Sequence, residues 1–205
     1  MLLQINFIVT GYLAGSVLFA RLAAHLMEKD AAFSDSKDRN PGTANAFRYG
    51  GFWCGLITLT GDVLKGFLPV YFYLRAGGDF SGFSLLKQLV LAAPVLGHIF
   101  PLYFGFHGGK GIAVTFGCLL GLLPDWKPVA LLAACFLFFS TVLRITPHFY
   151  RTIVTYLVAA PGMLLAENEA GVSVGFLWIA GAVLWKLHQS EEELPPMEVT
   201  RLWMR

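Results

Sequence analysis

The chain has 205 residues, 56% hydrophobic and 14% charged, with a formal net charge of +2. Soluble domains carry about a quarter charged residues, so this composition excludes an ordinary water-soluble globule and describes a chain solvated by lipid. A charge this small, with no basic stripe, also excludes a nucleic-acid binder. Cys54, Cys118 and Cys135 lie far apart in apolar stretches without a CxxC pair, a pattern of neither a disulfide framework nor a zinc site.

Hydropathy and breakers place membrane spans near Leu2–Met27, Tyr49–Leu74, Ser84–Phe104, Gly111–Leu123, Lys127–Leu143, Thr152–Ala166 and Val172–Leu187. The expectation is an all-α, polytopic membrane helix bundle of about seven spans, one integral membrane domain over residues 1–205. The first apolar stretch lacks the basic flank and cleavage site of a signal peptide and reads as a retained span. The second carries Gly61 and Gly66 around Asp62 and Lys65 and is expected to break near its middle. The fourth is too short to cross unless the glycine-rich segment before it takes part in a re-entrant descent.

Orientation follows from the connections. Arg21, Lys29, Lys37, Arg39 and Arg48 flank the first, Lys110 the third, Arg144 and Arg151 the fifth, and Lys186, Arg201 and Arg205 the tail. All fall on one side, so the positive-inside rule puts the N-terminus outside and the C-terminus in the cytoplasm of a cell membrane. The tail from Gln189 is expected at the membrane surface, because Glu191, Glu192 and Glu193 repel anionic lipid and Pro195 and Pro196 break the helix.

Three segments carry chemistry. Gly108, Gly109, Lys110 and Gly111 sit where the fourth span begins. Glycines around a lysine turn backbone N–H groups toward one anion, and the start of a helix adds its positive end. The other reading is a tight turn with a lysine reaching to the interface. Asn40, Thr43, Asn45 and Arg48 in NPGTANAFR supply amide, hydroxyl and guanidinium donors; the bland alternative is an Asn-Pro-Gly turn before an interfacial arginine. Asp62 and Lys65 each cost about 2.5–3.5 kcal/mol at bilayer depth, so they face protein, water or each other, and their i, i+3 spacing permits a pair. His25 and Asp30 form H-x-x-x-x-D, yet on a helix they diverge by about 140° and do not make a catalytic dyad. There is no G-x-S-x-G elbow, which disfavours an acyl-enzyme.

The order GSVLFARL from Gly15, NPGTANAFR from Asn40, GDVLKGFLPV from Gly61 and GHIFPLYFGFHGGKGIA from Gly97 resembles the PlsY-type acyl-phosphate:glycerol-3-phosphate acyltransferases of bacterial membranes. The resemblance implies transfer of a fatty acyl group from acyl phosphate to the 1-hydroxyl of glycerol 3-phosphate, giving lysophosphatidic acid, with no metal or cofactor. Its partners are then those two substrates and membrane lipid. It implies that Lys110, with Gly108, Gly109 and Gly111, holds one phosphate. Arg48 and Asn45, with Asn40, Gly42 and Lys65, take the other, and His98 organises the glycine loop. The chain departs from the family where Lys37, Asp38 and Arg39 precede Asn40: a carboxylate replaces a serine, which makes Asp38 a candidate base for the glycerol hydroxyl. A third motif survives only as Lys186, Leu187 and His188, with Glu191 where an asparagine is expected. The alternative function is a non-catalytic relative that binds an anionic lipid or phosphate metabolite, or scaffolds lipid enzymes.

Overall fold

The computed structural model describes residues 1–29, 41–189 and 195–202. Asp38 and Asn40, and with them Lys37, Arg39 and Glu191, lie outside the described residues.

The first expected span is two helices, α1 (Leu2–Gly15) and α2 (Phe19–Leu26). They are separated at Ser16–Leu18, where the Val17 carbonyl leaves the helical ladder and is taken by a side chain from the next helix. A helical turn at Thr43–Asn45 and a π turn at Ala46–Gly50 lead into α3 (Phe52–Arg75). Contrary to the expected break, α3 runs without interruption through Asp62 and Lys65. At 24 residues and 1.5 Å per residue it is about 36 Å long. Its glycines serve packing instead: a Cβ on Gly66 would stand 2.4 Å from the Val114 carbonyl oxygen, and one on Gly117 2.1 Å from that of Val63. This lets α3 lie backbone to backbone on α5 (Ile112–Leu120).

Helix α4 (Leu85–Ile99) makes the same kind of crossing with α1, where a Cβ on Gly15 would lie 2.1 Å from Pro94 O and one on Gly97 2.1 Å from Tyr12 O. Then come α6 (Lys127–Leu137), continued by a π turn at Phe138–Val142, α7 (His148–Ala166) and α8 (Ala170–His188). The core between them includes Tyr156, stacked on Phe176 with ring centroids 5.9 Å apart and donating its hydroxyl to Thr115 Oγ1 at 3.0 Å. Large side chains such as Leu165, 89% exposed, with Leu157, Trp178 and Phe72, point outward, as a hydrocarbon solvent requires.

Among the described residues four helical segments are long and apolar enough to cross a membrane: Leu2–Leu26, Leu85–Phe104, His148–Ala166 and Ala170–His188. Helix α5, with nine residues, rises only about 14 Å. The chain is thus an integral membrane protein of mostly helical build. One feature lies outside the all-α expectation: β1 (Leu143–Thr146) pairs antiparallel with β2 (Glu198–Arg201), Arg144 opposite Thr200. The exposed tail therefore stays at the surface and returns to add a strand, with Leu202 N–H extending the ladder to Val142 O at 3.0 Å.

The connections gather at two ends of the bundle. At one end Gly171 N–H reaches Phe80 O at 2.9 Å, joining the α3–α4 connection to the start of α8. At the other end meet the segment before α3, the glycine loop before α5, the β1–α7 corner and the tail strand.

Candidate active site

A buried cluster forms where α3, α4 and the α1–α2 break converge. Lys65 Nζ donates to Val17 O at 2.6 Å and approaches His98 Nδ1 at 2.8 Å. An ammonium has no lone pair, so Nδ1 must accept, which places the ring proton on Nε2. Asp62 Oδ1 lies 2.8 Å from the same Nζ. That contact has ion-pair distance without hydrogen-bond alignment, and Oδ1 has no hydrogen-bond partner among the described residues. Oδ2 accepts a long bond, 3.4 Å, from the Thr43 hydroxyl. Asp62, Lys65 and His98 are 1%, 5% and 2% exposed, so these contacts stand in a medium where charge must be matched locally.

The glycine loop is seated on this cluster through His98. Gly108 N–H donates to Ile99 O and Gly109 N–H to His98 O, both at 3.2 Å. A Cβ on Gly108 would sit 1.8 Å from His98 O, and one on Gly109 2.2 Å from His98 Nε2. Two N–H groups expected to face an anion are thus committed to the end of α4, and the glycines are there for close approach. Gly111, at φ +81°, makes the left-handed turn into α5 that a side chain would strain.

Above the cluster opens a cavity of about 350 Å³ lined by Gly42, Thr43, Asn45, Asp62, His98, Lys110, Gly111, Ile112 and His148. It brings Asn45 and Lys110 together, although they come from segments some sixty residues apart in sequence. Ile112 and Ala113, in the first turn of α5, also line it, and the N–H groups of a first helical turn have no partner within their own helix. Lys110 is 8% exposed, enclosed rather than spread at an interface. Arg48 is not in the wall; it is exposed, one turn past Asn45, with its guanidinium 5.7 Å over the Tyr49 ring.

His148 was not singled out from the sequence. It opens α7 immediately after β1, and a histidine in the first turn of a membrane helix was the available signal. On the lipid side of the same cluster lies an apolar groove of about 850 Å³ between α1, α2 and α3, lined by Thr10, Ala14, Phe19, Trp53, Leu64 and Phe72 among others. Lys65 is part of its wall, whereas Asp62 is part of the cavity wall. One ion pair forms the partition between a chamber with polar side chains set in a mostly apolar wall and a lipid-side groove.

The chain is a helical membrane protein in which a chamber holding Asp62, His98 and Lys110 backs onto an apolar groove. The family model for glycerol-3-phosphate acyltransferase matches residues 5–194, so the chain belongs to that family. The glycerol-3-phosphate acyltransferase of Pseudomonas aeruginosa strain LESB58 is 35% identical over 180 residues, 87% of this chain and 88% of the relative. That of Thiobacillus denitrificans is 34% identical over 178 residues, 84% and 85% of the two chains. In fold the chain is similar to crystal structures of PlsY (YgiH), an integral membrane glycerol 3-phosphate acyltransferase. Its glycerol 3-phosphate form gives a TM-score of 0.75 at 24% identity, covering 91% of this chain and 88% of that one. The lysophosphatidic acid form gives 0.73.

Proposed function

We propose that this chain transfers a fatty acyl group from acyl phosphate to the 1-hydroxyl of glycerol 3-phosphate, releasing lysophosphatidic acid and phosphate at the cytoplasmic face of the membrane. The observation that carries this reading is the shared partition: Asp62 walls the cavity and Lys65 the groove. A substrate with a charged head and a long apolar tail spans such a divide. The groove lining on α3 runs from Trp53 to Phe72, about 28 Å of helix, close to the thickness of a hydrocarbon core.

In the reaction the glycerol oxygen attacks the carbonyl carbon of acyl phosphate. The new ester C–O bond forms as the bond to the phosphate oxygen breaks, and the phosphate leaves with that electron pair. The hydroxyl proton ends on the released phosphate, directly or through Asp38. No acyl-enzyme is needed, because acyl phosphate is already activated, and the protein contributes placement and charge. Lys110 and the first turn of α5 hold one phosphate, Asn45 and His148 contact the other substrate across the cavity, and Arg48, exposed beside Asn45, captures incoming anions. Gly42 lets the chain pass close to the ligand; Gly108, Gly109, Gly111 and His98 set the loop that carries Lys110. Lys65 is a positioning residue, its donors engaged by Val17 and His98 and its charge by Asp62.

The same placement supports seven passages with the N-terminus outside, α5 and α6 being completed by their flanking turns, and among the described residues all the arginines but Arg75 belong to the cavity end, as the positive-inside rule asks. Purified protein given acyl phosphate and labelled glycerol 3-phosphate is expected to form lysophosphatidic acid. Product no greater than that of a Lys110→Ala control overturns the assignment.

A further inference from the structure

A second, polar cleft, of about 330 Å³, lies apart from the cavity beside the β1–β2 pair and is lined by Ser140, Thr141, Arg144, Arg151, Thr200, Arg201 and Leu202. Three elements build it. The π turn ending α6 brings Ser140 and Thr141, the first turn of α7 brings Arg151, and the tail strand closes it with Thr200 and Arg201. Strand register sets Arg144 directly opposite Thr200, and Arg201 opposite Leu143.

Three arginines thus line one concavity. None of them forms an ion pair among the described residues; the strand pair carries one acidic residue, Glu198, opposite Thr146. Gathering like charges this closely is unfavourable unless a counter-anion is held between them, and guanidiniums bind phosphate oxygens through paired N–H groups. The cleft borders the end of an apolar helix. It lies just past the end of α6, and the tail strand that closes it exposes Val199 and Leu202, 50% and 62%, as residues at headgroup level do.

We infer that the Arg144–Arg151–Arg201 cleft is a second anion site that binds a phosphate group at the membrane surface, supplied by an anionic lipid headgroup or by a soluble phosphate. It shares no residue with the substrate cavity. The β1–β2 pair links the two: β1 runs directly into Pro147 and His148, and the tail strand is held against β1 by the same ladder that positions Arg144. An anion in the cleft therefore clamps the tail strand and, through β1, the start of α7.

The test uses the full chain in phosphatidylcholine nanodiscs, as Lys110→Ala so that cavity binding is weakened. Two probes are titrated separately, inorganic phosphate and short-chain phosphatidylglycerol. At least one should bind, and Arg144→Gln with Arg201→Gln should weaken it by about tenfold or more, as loss of charge-assisted contacts requires. Arg144→Lys with Arg201→Lys should restore part of the affinity. Binding of the lipid alone identifies a headgroup site, and equal binding of both identifies a site for the phosphate group itself. Unchanged melting of the variants, read by scanning fluorimetry, separates a lost site from a lost fold. No binding of either probe, or binding that the glutamine pair leaves unchanged while the fold is intact, overturns the inference.

Discussion

Lys65 Nζ stands 2.8 Å from His98 Nδ1 and 2.6 Å from Val17 O, so one ammonium ties α3 to α4 and to the break between α1 and α2. The break exists because an unpaired carbonyl is tolerated in a membrane when another donor reaches it, and Lys65 is that donor. Lys65→Met leaves Asp62 buried without its counter-charge, a loss of about 3–5 kcal/mol. Thermal unfolding in detergent should show that loss, with activity abolished. Adding Asp62→Leu should recover much of the stability without activity. A double variant as unstable as the single one would mean the ion pair is not the source of the cost.

The glycine loop makes a sharper demand. An added methyl at Gly108 meets His98 O at 1.8 Å, and at Gly109 it meets the His98 ring at 2.2 Å. Either Gly108→Ala or Gly109→Ala should cost about 1–3 kcal/mol through forced displacement, and should lower turnover more than Gly181→Ala, where the added atom meets nothing within 4 Å. Equal activity of the three variants would detach the loop from the site.

Lys110 distinguishes a phosphate site from an ordinary interfacial lysine. Lys110→Ala should remove a charge-assisted bond of about 1.5–3 kcal/mol from substrate binding, and Lys110→Arg should also impair it, because a planar fork does not fit the enclosed turn. Lys127→Ala, at the opposite end of the bundle, should do neither. Calorimetry with glycerol 3-phosphate in detergent reads all three, and unchanged affinity at Lys110 would remove the central support for the site.

Away from the cavity, Asp79 accepts from Lys87 and Ser81, which hold its carboxyl down to about 2 from an ordinary 3.8. The folded state therefore binds the proton less readily than the unfolded chain. The stabilisation is complete above about 3.8 and is lost as pH falls toward about 2. The group is largely exposed, so the effect is small. Asp79→Asn should lower the melting temperature slightly near neutrality, and the gap should close in acid. A gap that persists at low pH would assign the effect to something other than this ionisation.

Much of the architecture was legible because lipid admits few solutions: long apolar runs had to be helices, and Asp62 and Lys65 had to face protein, water or each other, with a spacing that permits a pair. The meeting of Asn45 and Lys110 was also readable, since both follow from basic connections on one side. What stayed hidden depends on contacts between distant segments. The Ser16–Leu18 break follows a Gly-Ser pair inside an otherwise apolar run, and the carbonyl it frees is taken by a lysine forty-eight residues on. Gly108 and Gly109 look alike whether their N–H groups face an anion or a helix end. The β1–β2 pair is four residues long on each side and joins segments on either side of α8, beyond the reach of any local pattern.

The groove makes the final prediction, because only the acyl chain should sense it. Thr10, Ala14 and Val17 lie along one face of the first span, opposite Ile57, Leu64 and Leu68 of α3. Ala14 is the smallest of these, so Ala14→Trp fills the groove without touching the cavity on the other side of the Asp62–Lys65 partition. Each methylene displaced from an apolar site forfeits about 0.8 kcal/mol, so the penalty should grow with chain length. Long-chain acyl phosphates should lose most of their turnover, while acetyl phosphate, which does not reach Ala14, should react as with the parent. The affinity for glycerol 3-phosphate should not change. Comparing kcat/KM across a series of acyl phosphates reads this directly: a uniform loss at every chain length would place the acyl chain elsewhere on the protein.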